Sequence, residues 1–549
     1  MQTCDLVLFS SAIFDSIKDE PFPGGVAVKD GKILAVGPRE EIEGYIGGDT
    51  VVKDFGDSLI MPGIIDAHSH FDGTARKWFA EVVNGLDELH SEEECVAAVK
   101  KFADEHPHLE RINSNSWILT SWGIDPVPPT KASLDAVLPD KPVYLFSADG
   151  HMMWLNSAAI EDCGLEDILA AHPEYPEGWA TRDENGVLTG IIAEDPVHTV
   201  EDIADVVTTE LRDQFHEKTV KKLNSYGITG FTDLTPIRSR EMTTYYSHLK
   251  EMDNRGDLTV RIYIWNGKAP KDDDTTTQQA EDIRQMIPYF NTDRLMISGI
   301  KTIYDGIPFS TTSALLNPYT DSPDTKGEFL TDPSVYADWV TKVNAMGFSV
   351  KCHCTGDAAI RAALDSFEAS LKVNGDRDYR NSIEHMDIVS LEDIPRFAEL
   401  GVIASVQPAH VCMCKGIWQT RYKEAAKHEW PFRTLINAGA RISIGTDTPV
   451  VEANPYYTIY KAITRRDIDG TAYSPDTDDE ALTLPEVLKG YTIGAAYNQH
   501  FEDKVGTLEP GKYADICVVD KNLFAIPAVD IKDCSARCTV FEGRIVYEA

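Results

Sequence analysis

Eight short apolar runs, with helical patterns spaced between them, constrain this chain more than any other feature of its sequence. In order they are "GIIDAHSH" (63–70), "GITGFTDL" (227–234), "LTVRIYIW" (258–265), "ISGIKTIY" (297–304), "GFSVKCHC" (347–354), "NSIEHMDIV" (381–389), "GVIASVQPA" (401–409) and "ARISIGTDT" (440–448). Intervening stretches such as "SVYADWVTKVNAMG" (334–347) and "ALDSFEASLKVNG" (363–375) carry helical periodicity and end in Gly, a residue that stops a helix by accepting a left-handed conformation. Strands alternating with helices form a parallel sheet, and eight such units close into a (β/α)8 TIM barrel. A barrel needs about 250 residues, whereas this chain has 549.

The excess has two places to go. Residues of about 71–226 form a large insertion between the first and second strands, with apolar elements of their own in "SWILTSWGID" (116–125) and "PVYLFSADGHMMWLNSAAI" (142–160). The two ends share a texture of short strands: "GGVAVKDGKILAVGP" with its Asp-Gly turn near the start, "GTLEPGKYADICVVDKNLF" and "CTVFEGRIVYEA" near the finish. Residues 1–61 and 501–549 are therefore expected to fold together as one small β-sandwich domain, interrupted by a barrel over 62–500.

Composition narrows the partners. With 51 Lys and Arg against 89 Asp and Glu, the net charge is −38, a field that repels nucleic-acid phosphates and anionic membrane surfaces. The acidic runs "KDDDTTT" (271–277) and "PDTDDE" (475–480) read as solvated loops. Without a basic leader or a long apolar span, the expectation is a cytoplasmic protein with no membrane and no nucleic-acid partner. Its ten scattered cysteines read as reduced, buried residues, and "CMC" (412–414) lacks the second pair that a zinc finger would need.

Chemistry enters at the strand ends. Side chains two apart on a strand face the same way, so Asp66, His68 and His70 share a face, with the two histidines about 6.6 Å apart along it. Alone, such a pair could merely finish a strand. Lys301, His353, His385 and Asp447 stand at the ends of strands four, five, six and eight, where barrel enzymes place their catalytic groups. The same alternation turns His353 away from Cys352 and Cys354, which become wall packing. Any one of these residues could be a structural histidine or a helix cap; together they point to a site.

The motifs "PGIIDAHSH", "IKTIYDG", "HCTGDAAI", "IEHMDIV" and "IGTDTPV", in this order, resemble the amidohydrolase superfamily. The insertion's "SADGHMMWLNSAAI", the "GITGFTDL" of strand two and the closing "LTLPEVLKGYTIGAAYNQHFEDKVGTLEPGKYADICVVD" resemble the branch containing N-substituted formamide deformylase. The resemblance implies a centre of zinc or another divalent metal, with two ions bridged by Lys301 in its carboxylated form. His68, His70 and Asp447 match the ligands of one ion, and His353 and His385 those of the other. An unmodified Lys301 would instead form an ion pair with a carboxylate such as Asp305.

A bound ion lowers the pKa of water from about 15.7 to about 7, and Asp447 then serves as general base and acid in cleaving an amide or N-acyl or N-formyl amine. Around these residues, His151 is a catalytic candidate through a hydrogen bond to the scissile carbonyl, His151, Trp122 and Tyr304 are candidates for substrate contact, and Asp66, Asp305 and Asp357 are candidates for orienting ligands. Arg465 or Arg466 could meet an anionic substrate group, though each reads first as a surface ion pair. After Lys301 the expected "DGSLGSRTA"-like sequence is replaced by "DGIPFSTTSAL", so no relative's substrate transfers. A small-molecule amide is the expected partner, and a homodimer is expected by analogy. Deamination and cyclic amide hydrolysis are the nearest alternatives, although deaminases place a glutamate where Gly356 stands. A non-catalytic binding protein is the alternative of another class, one expected to have lost ligands that this chain retains.

Overall fold

Each of the eight runs becomes a strand: Ile64–Ser69, Ile228–Asp233, Arg261–Trp265, Leu295–Ile303, Val350–Cys354, Ser382–His385, Ile403–Val406 and Arg441–Ile444. Each pairs in parallel with the next. The computed structural model describes residues 3–549 apart from 124–125, 149, 205–206, 238–240, 269, 271–276, 376, 413–420, 423–427 and 474. The acidic run at 271–276 and residues 413–414 of "CMC" therefore lie outside the described residues.

Strand eight returns to strand one through a parallel bridge between Ser69 and Thr448, where the Asp447 amide donates to the His68 carbonyl at 2.7 Å. Asp66 fixes this seam, accepting from the Thr446 hydroxyl at 2.6 Å and the Thr446 amide at 3.0 Å. A Cβ on Gly445 would stand 2.3 Å from the His68 nitrogen, so only glycine permits the approach. Around the wall, helix Pro333–Ala345 is capped by Asp332 and buries Tyr336, Trp339, Val340 and Val343. Its Tyr336 hydroxyl donates to Cys352 Sγ at 3.0 Å, placing that cysteine on the helix side of the strand.

The chain divides into two compact units, one of Met1–Thr74 with His216–Ala549 and the other of Ala75–Phe215. The second is narrower at both ends than residues 71–226. Phe71 and Asp72 pack with His216 in the first unit, the His216 Nε2 lying 3.1 Å from Asp72 Oδ1. Within Ala75–Phe215 a five-stranded sheet runs in the order Ala180–Arg182, Leu188–Ala193, Met152–Leu155, Val143–Ser147, Ile112–Trp117. Its core includes Trp117, Leu134, Val143, Leu145 and Trp154.

Both termini enter one mixed sheet. Leu59–Pro62 pairs in parallel with Leu6–Ile13 and antiparallel with Ile516–Val519, and Leu8, Val26, Ile60, Ile516, Val518 and Val540 form its core. Asp30 and Gly31 (φ 51° and 78°) make the turn between Phe22–Lys29 and Lys32–Gly37, and Glu542 and Gly543 (φ 46° and 75°) that between the last two strands. Among the described residues no helix is long and apolar enough to cross a membrane, and eight cysteines are free and buried.

Arg261, on barrel strand three, ties this sheet to the barrel. Fully buried, it donates from Nε and Nη2 to Asp515 at 2.8 and 3.2 Å, approaches Glu542 at 3.1 Å and lies over the Tyr513 and Phe541 rings. Removing one partner of a buried pair strands the other charge, a loss of about 3–5 kcal/mol. Arg261→Met is expected to lose about that much stability in denaturant melts, and a loss below about 1 kcal/mol would contradict the clamp.

Candidate active site

Four imidazoles converge on one carboxylate at the carboxyl ends of the strands. Asp447 Oδ1 lies 3.1 Å from His70 Nε2 and 3.3 Å from His68 Nε2; Oδ2 lies 3.5 Å from His410 Nε2 and 3.9 Å from His385 Nδ1. The His385 ring stands 4.7 Å from that of His68 and 4.4 Å from that of His353. His68, His385 and Asp447 are buried, whereas His70 keeps 28% of its side chain exposed, as a group on the open side of a site would.

The backbone is bent to make this convergence. His385 (φ 73°), Met386 (φ 55°) and Asp447 (φ 66°) take left-handed conformations, each at a cost of about 1–3 kcal/mol that surrounding structure must hold. Gln407 helps, its side-chain oxygen accepting from the His385 amide at 3.0 Å.

Two residues that strand patterning did not single out set the tautomers. Glu384 Oε2 lies 2.5 Å from His68 Nδ1, and Lys351 Nζ donates to Glu384 Oε1 at 3.2 Å, all three groups being fully buried or nearly so. Burial alone would raise the Glu384 carboxyl, but the Lys351 ammonium and His68 hold it well below the usual carboxylate range. An ionised carboxylate only accepts, so His68 carries a hydrogen on Nδ1, which in the neutral ring leaves the Nε2 lone pair facing Asp447. Likewise His353 Nε2 meets the Gly306 carbonyl at 3.1 Å, which leaves Nδ1 with the lone pair. Burial, followed by the neighbouring His353 and His68, pushes His385 well below the usual imidazole value, so it stays neutral.

Lys301 is 6% exposed and, among the described residues, makes no hydrogen bond or ion pair. Burial lowers its pKa against the opposing pull of Glu384 and Asp447. The ion pair with Asp305 is not formed. Asp305 is instead held by the amides of Ala314, Thr355 and Gly356 at 2.9–3.0 Å, a cage that fixes the turn after His353. Asp357 opens helix Asp357–Asn374 and accepts from the Leu316 amide at 2.8 Å.

Tyr304 is fully buried and stacks on Tyr336 at 4.1 Å. His151 and Trp122 belong to the Ala75–Phe215 unit, where His151 Nδ1 lies 3.2 Å from Glu194 and Trp122 packs beside Trp117 and Trp154. Arg466 is exposed, but Arg465 is no surface residue. It is buried beneath the carbonyls of Trp430 and Glu429, because a left-handed φ of 53° turns it inward as its helix ends.

A parallel barrel that gathers imidazoles around an aspartate at the carboxyl ends of its strands places them where barrel enzymes carry their active sites. The chain belongs to the amidohydrolase family, whose sequence model matches residues 52–547. It is an enzyme acting on carbon–nitrogen bonds other than peptide bonds. It is 26% identical to the protein LONG AFTER FAR-RED 3 of Arabidopsis thaliana, over 99% of this chain and 91% of that one. It is 25% identical to N-substituted formamide deformylase of Arthrobacter pascens, over 95% and 94%. Among solved structures, an uncharacterized metal-dependent hydrolase from Pyrococcus horikoshii shares its fold with a TM-score of 0.74 at 23% identity, covering 95% of this chain and 99% of that one.

The donor set fits a divalent cation. In the tautomer with hydrogen on Nδ1, the His68 Nε2 lone pair and Asp447 Oδ1 lie 3.3 Å apart, a pair of acceptors that a cation between them satisfies. Two groups, His68–His70–Asp447 and His385–His410–Asp447, each bring three ligand atoms within 4.8 Å of one another. If Glu384 holds His68 in the ligating tautomer, Glu384→Gln is expected to weaken divalent-ion affinity about 10- to 100-fold. Competition with a chromogenic chelator measures this, and an unchanged affinity would remove Glu384 from the role.

Proposed function

We propose that this protein is a metal-dependent hydrolase of small-molecule amides, N-acyl or N-formyl amines, with Asp447 as its general base and acid. The observation that carries this reading is the Asp447 carboxylate held between His70 at 3.1 Å and His68 at 3.3 Å on one oxygen, with His410 and His385 facing the other. Zinc or a similar ion bound there would polarise the amide carbonyl and supply a nucleophile at neutral pH. His68, His70 and Asp447 would hold one ion, and His353 and His385 a second.

Asp447 remains ionised in its buried position. Burial opposes this, but the surrounding His68, His70 and His385 hold its carboxyl well below the usual carboxylate range. It is thus able to take the proton of the attacking water and return it to the leaving nitrogen. Lys301, whose amine makes no hydrogen bond or ion pair among the described residues, would be carboxylated: its neutral nitrogen adds to carbon dioxide, one C=O π pair moves onto oxygen, a proton passes to water, and the carbamate's shared negative charge would help hold the metal.

The deaminase reading loses ground at Gly356. A Cβ there would stand 2.1 Å from the Ala314 carbonyl oxygen, so no glutamate fits where that chemistry places one. A hydrolysis screen of N-formyl, N-acetyl and N-acyl amino acid substrates, run with metal quantification, tests the proposal. Cleavage of at least one amide by the metal-loaded protein is expected. A protein that binds no metal and remains inert after zinc and bicarbonate reconstitution would overturn it, and ammonia release from an aminated heterocycle without amide cleavage would replace it with deamination.

A further inference from the structure

Barrel strand seven, Ile403–Val406, supplies none of the site residues that the family resemblance implies, yet the turn that follows it is fastened to the site. Pro408–Cys412 forms one 3-10 turn in which the His410 amide donates to the Gln407 carbonyl at 3.0 Å, while the Gln407 side chain holds the His385 amide. Lys461 Nζ anchors the same turn through the Ala409 carbonyl at 3.3 Å. The His410 ring lies parallel to that of His385, 12° between planes, with centroids 5.7 Å apart.

His410 Nε2 is buried and, among the described residues, makes no hydrogen bond. Asp447 Oδ2 lies 3.5 Å from it, which favours the hydrogen on Nε2 because a carboxylate only accepts. A buried donor without a partner costs about 1–3 kcal/mol, and here the turn holds it in that state beside the reacting carboxylate. The two Asp447 oxygens also differ: Oδ1 faces His68 and His70, whereas Oδ2 faces His410 and His385. His410 Nε2, 3.5 Å from Oδ2, therefore stands on the same side of the carboxylate as a nucleophile that would give its proton to Oδ2.

We propose that His410 is a catalytic residue that donates its Nε2 hydrogen to the carbonyl oxygen of the substrate amide as that oxygen gains negative charge. The assignment rests on the amide-hydrolase reading above. A donor aimed where charge develops contributes about 100- to 1,000-fold to turnover. It would also select substrates with a free carbonyl oxygen on the side facing strand seven.

The test uses full-length protein loaded with cobalt(II), the variants His410→Ala, His410→Gln and His410→Met, and circular dichroism to confirm folding. With an amide found in the screen, His410→Ala is expected to lower kcat about 100- to 1,000-fold, leave KM within a few-fold and keep the wild-type cobalt content. His410→Gln, which retains an N–H near the same position, is expected to recover at least about tenfold of the loss, while His410→Met recovers none. Acetohydroxamate, titrated against the cobalt absorption band, is expected to bind His410→Ala at least about tenfold more weakly than wild type. Loss of a bound ion in His410→Ala would make the residue a ligand and overturn the proposal. So would unchanged kcat and probe affinity, or rescue by Met equal to that by Gln. A wild-type protein that binds no cobalt and cleaves no amide fails the amide-hydrolase reading and this inference together, a result distinct from selective failure of the variants.

Discussion

Asp447→Asn is expected to lower turnover by at least about a thousandfold, the upper part of the range for a lost acid–base group, while leaving the fold intact. The substitution isolates charge from shape. Asp447 sits at φ 66°, a conformation that Asn accepts nearly as well as Asp but that Ala does not favour, so Asn avoids the backbone strain that would blur an alanine result. What disappears is the anion that His68 and His70 address at 3.3 and 3.1 Å. A variant within tenfold of wild-type kcat, measured at saturating substrate and metal, would remove Asp447 from the chemistry.

Lys301→Met is expected to separate stability from function. A buried amine that makes no hydrogen bond or ion pair among the described residues carries an uncompensated desolvation cost, which an apolar side chain of similar volume removes. The metal-free variant should therefore melt no lower than wild type. If the carbamate joins two ions, the same variant should lose at least one bound ion per chain and at least about 100-fold in turnover, the scale of a mechanism missing a principal group. Two ions retained with full turnover would refute the bridging role; a lower melting temperature would show that the amine has a stabilising partner.

Much of this was legible in the sequence because barrel strands are buried on both faces and read as continuous apolar runs. "GIIDAHSH" and "ARISIGTDT" announced the first and last strands, with His68, His70 and Asp447 at their ends. The pairing of Lys351 with Glu384 was harder to see. Charges inside apolar strands are a signal in themselves, since they persist only when paired, but which charge meets which depends on register between neighbouring strands, here Lys351 opposite Ser382 and His353 opposite Glu384. Nearness in sequence also misled at Lys301 and Asp305, because three amides from two distant loops claim the aspartate first. His410 was hidden by its turn: no periodicity extends past Pro408, so nothing in "QPAH" says which way the imidazole points.

The pairing of Leu59–Pro62 with Ile516–Val519 also sets the order of events on the ribosome. At about 5–20 residues per second, the later strand emerges on the order of a minute after the earlier one. Throughout that interval the nascent amino-terminal strands present an open hydrogen-bonding edge, the kind of edge that recruits other chains. The barrel has its full set of strands before this edge is covered, so Ile516–Val519 is the strand that ends its exposure to aggregation.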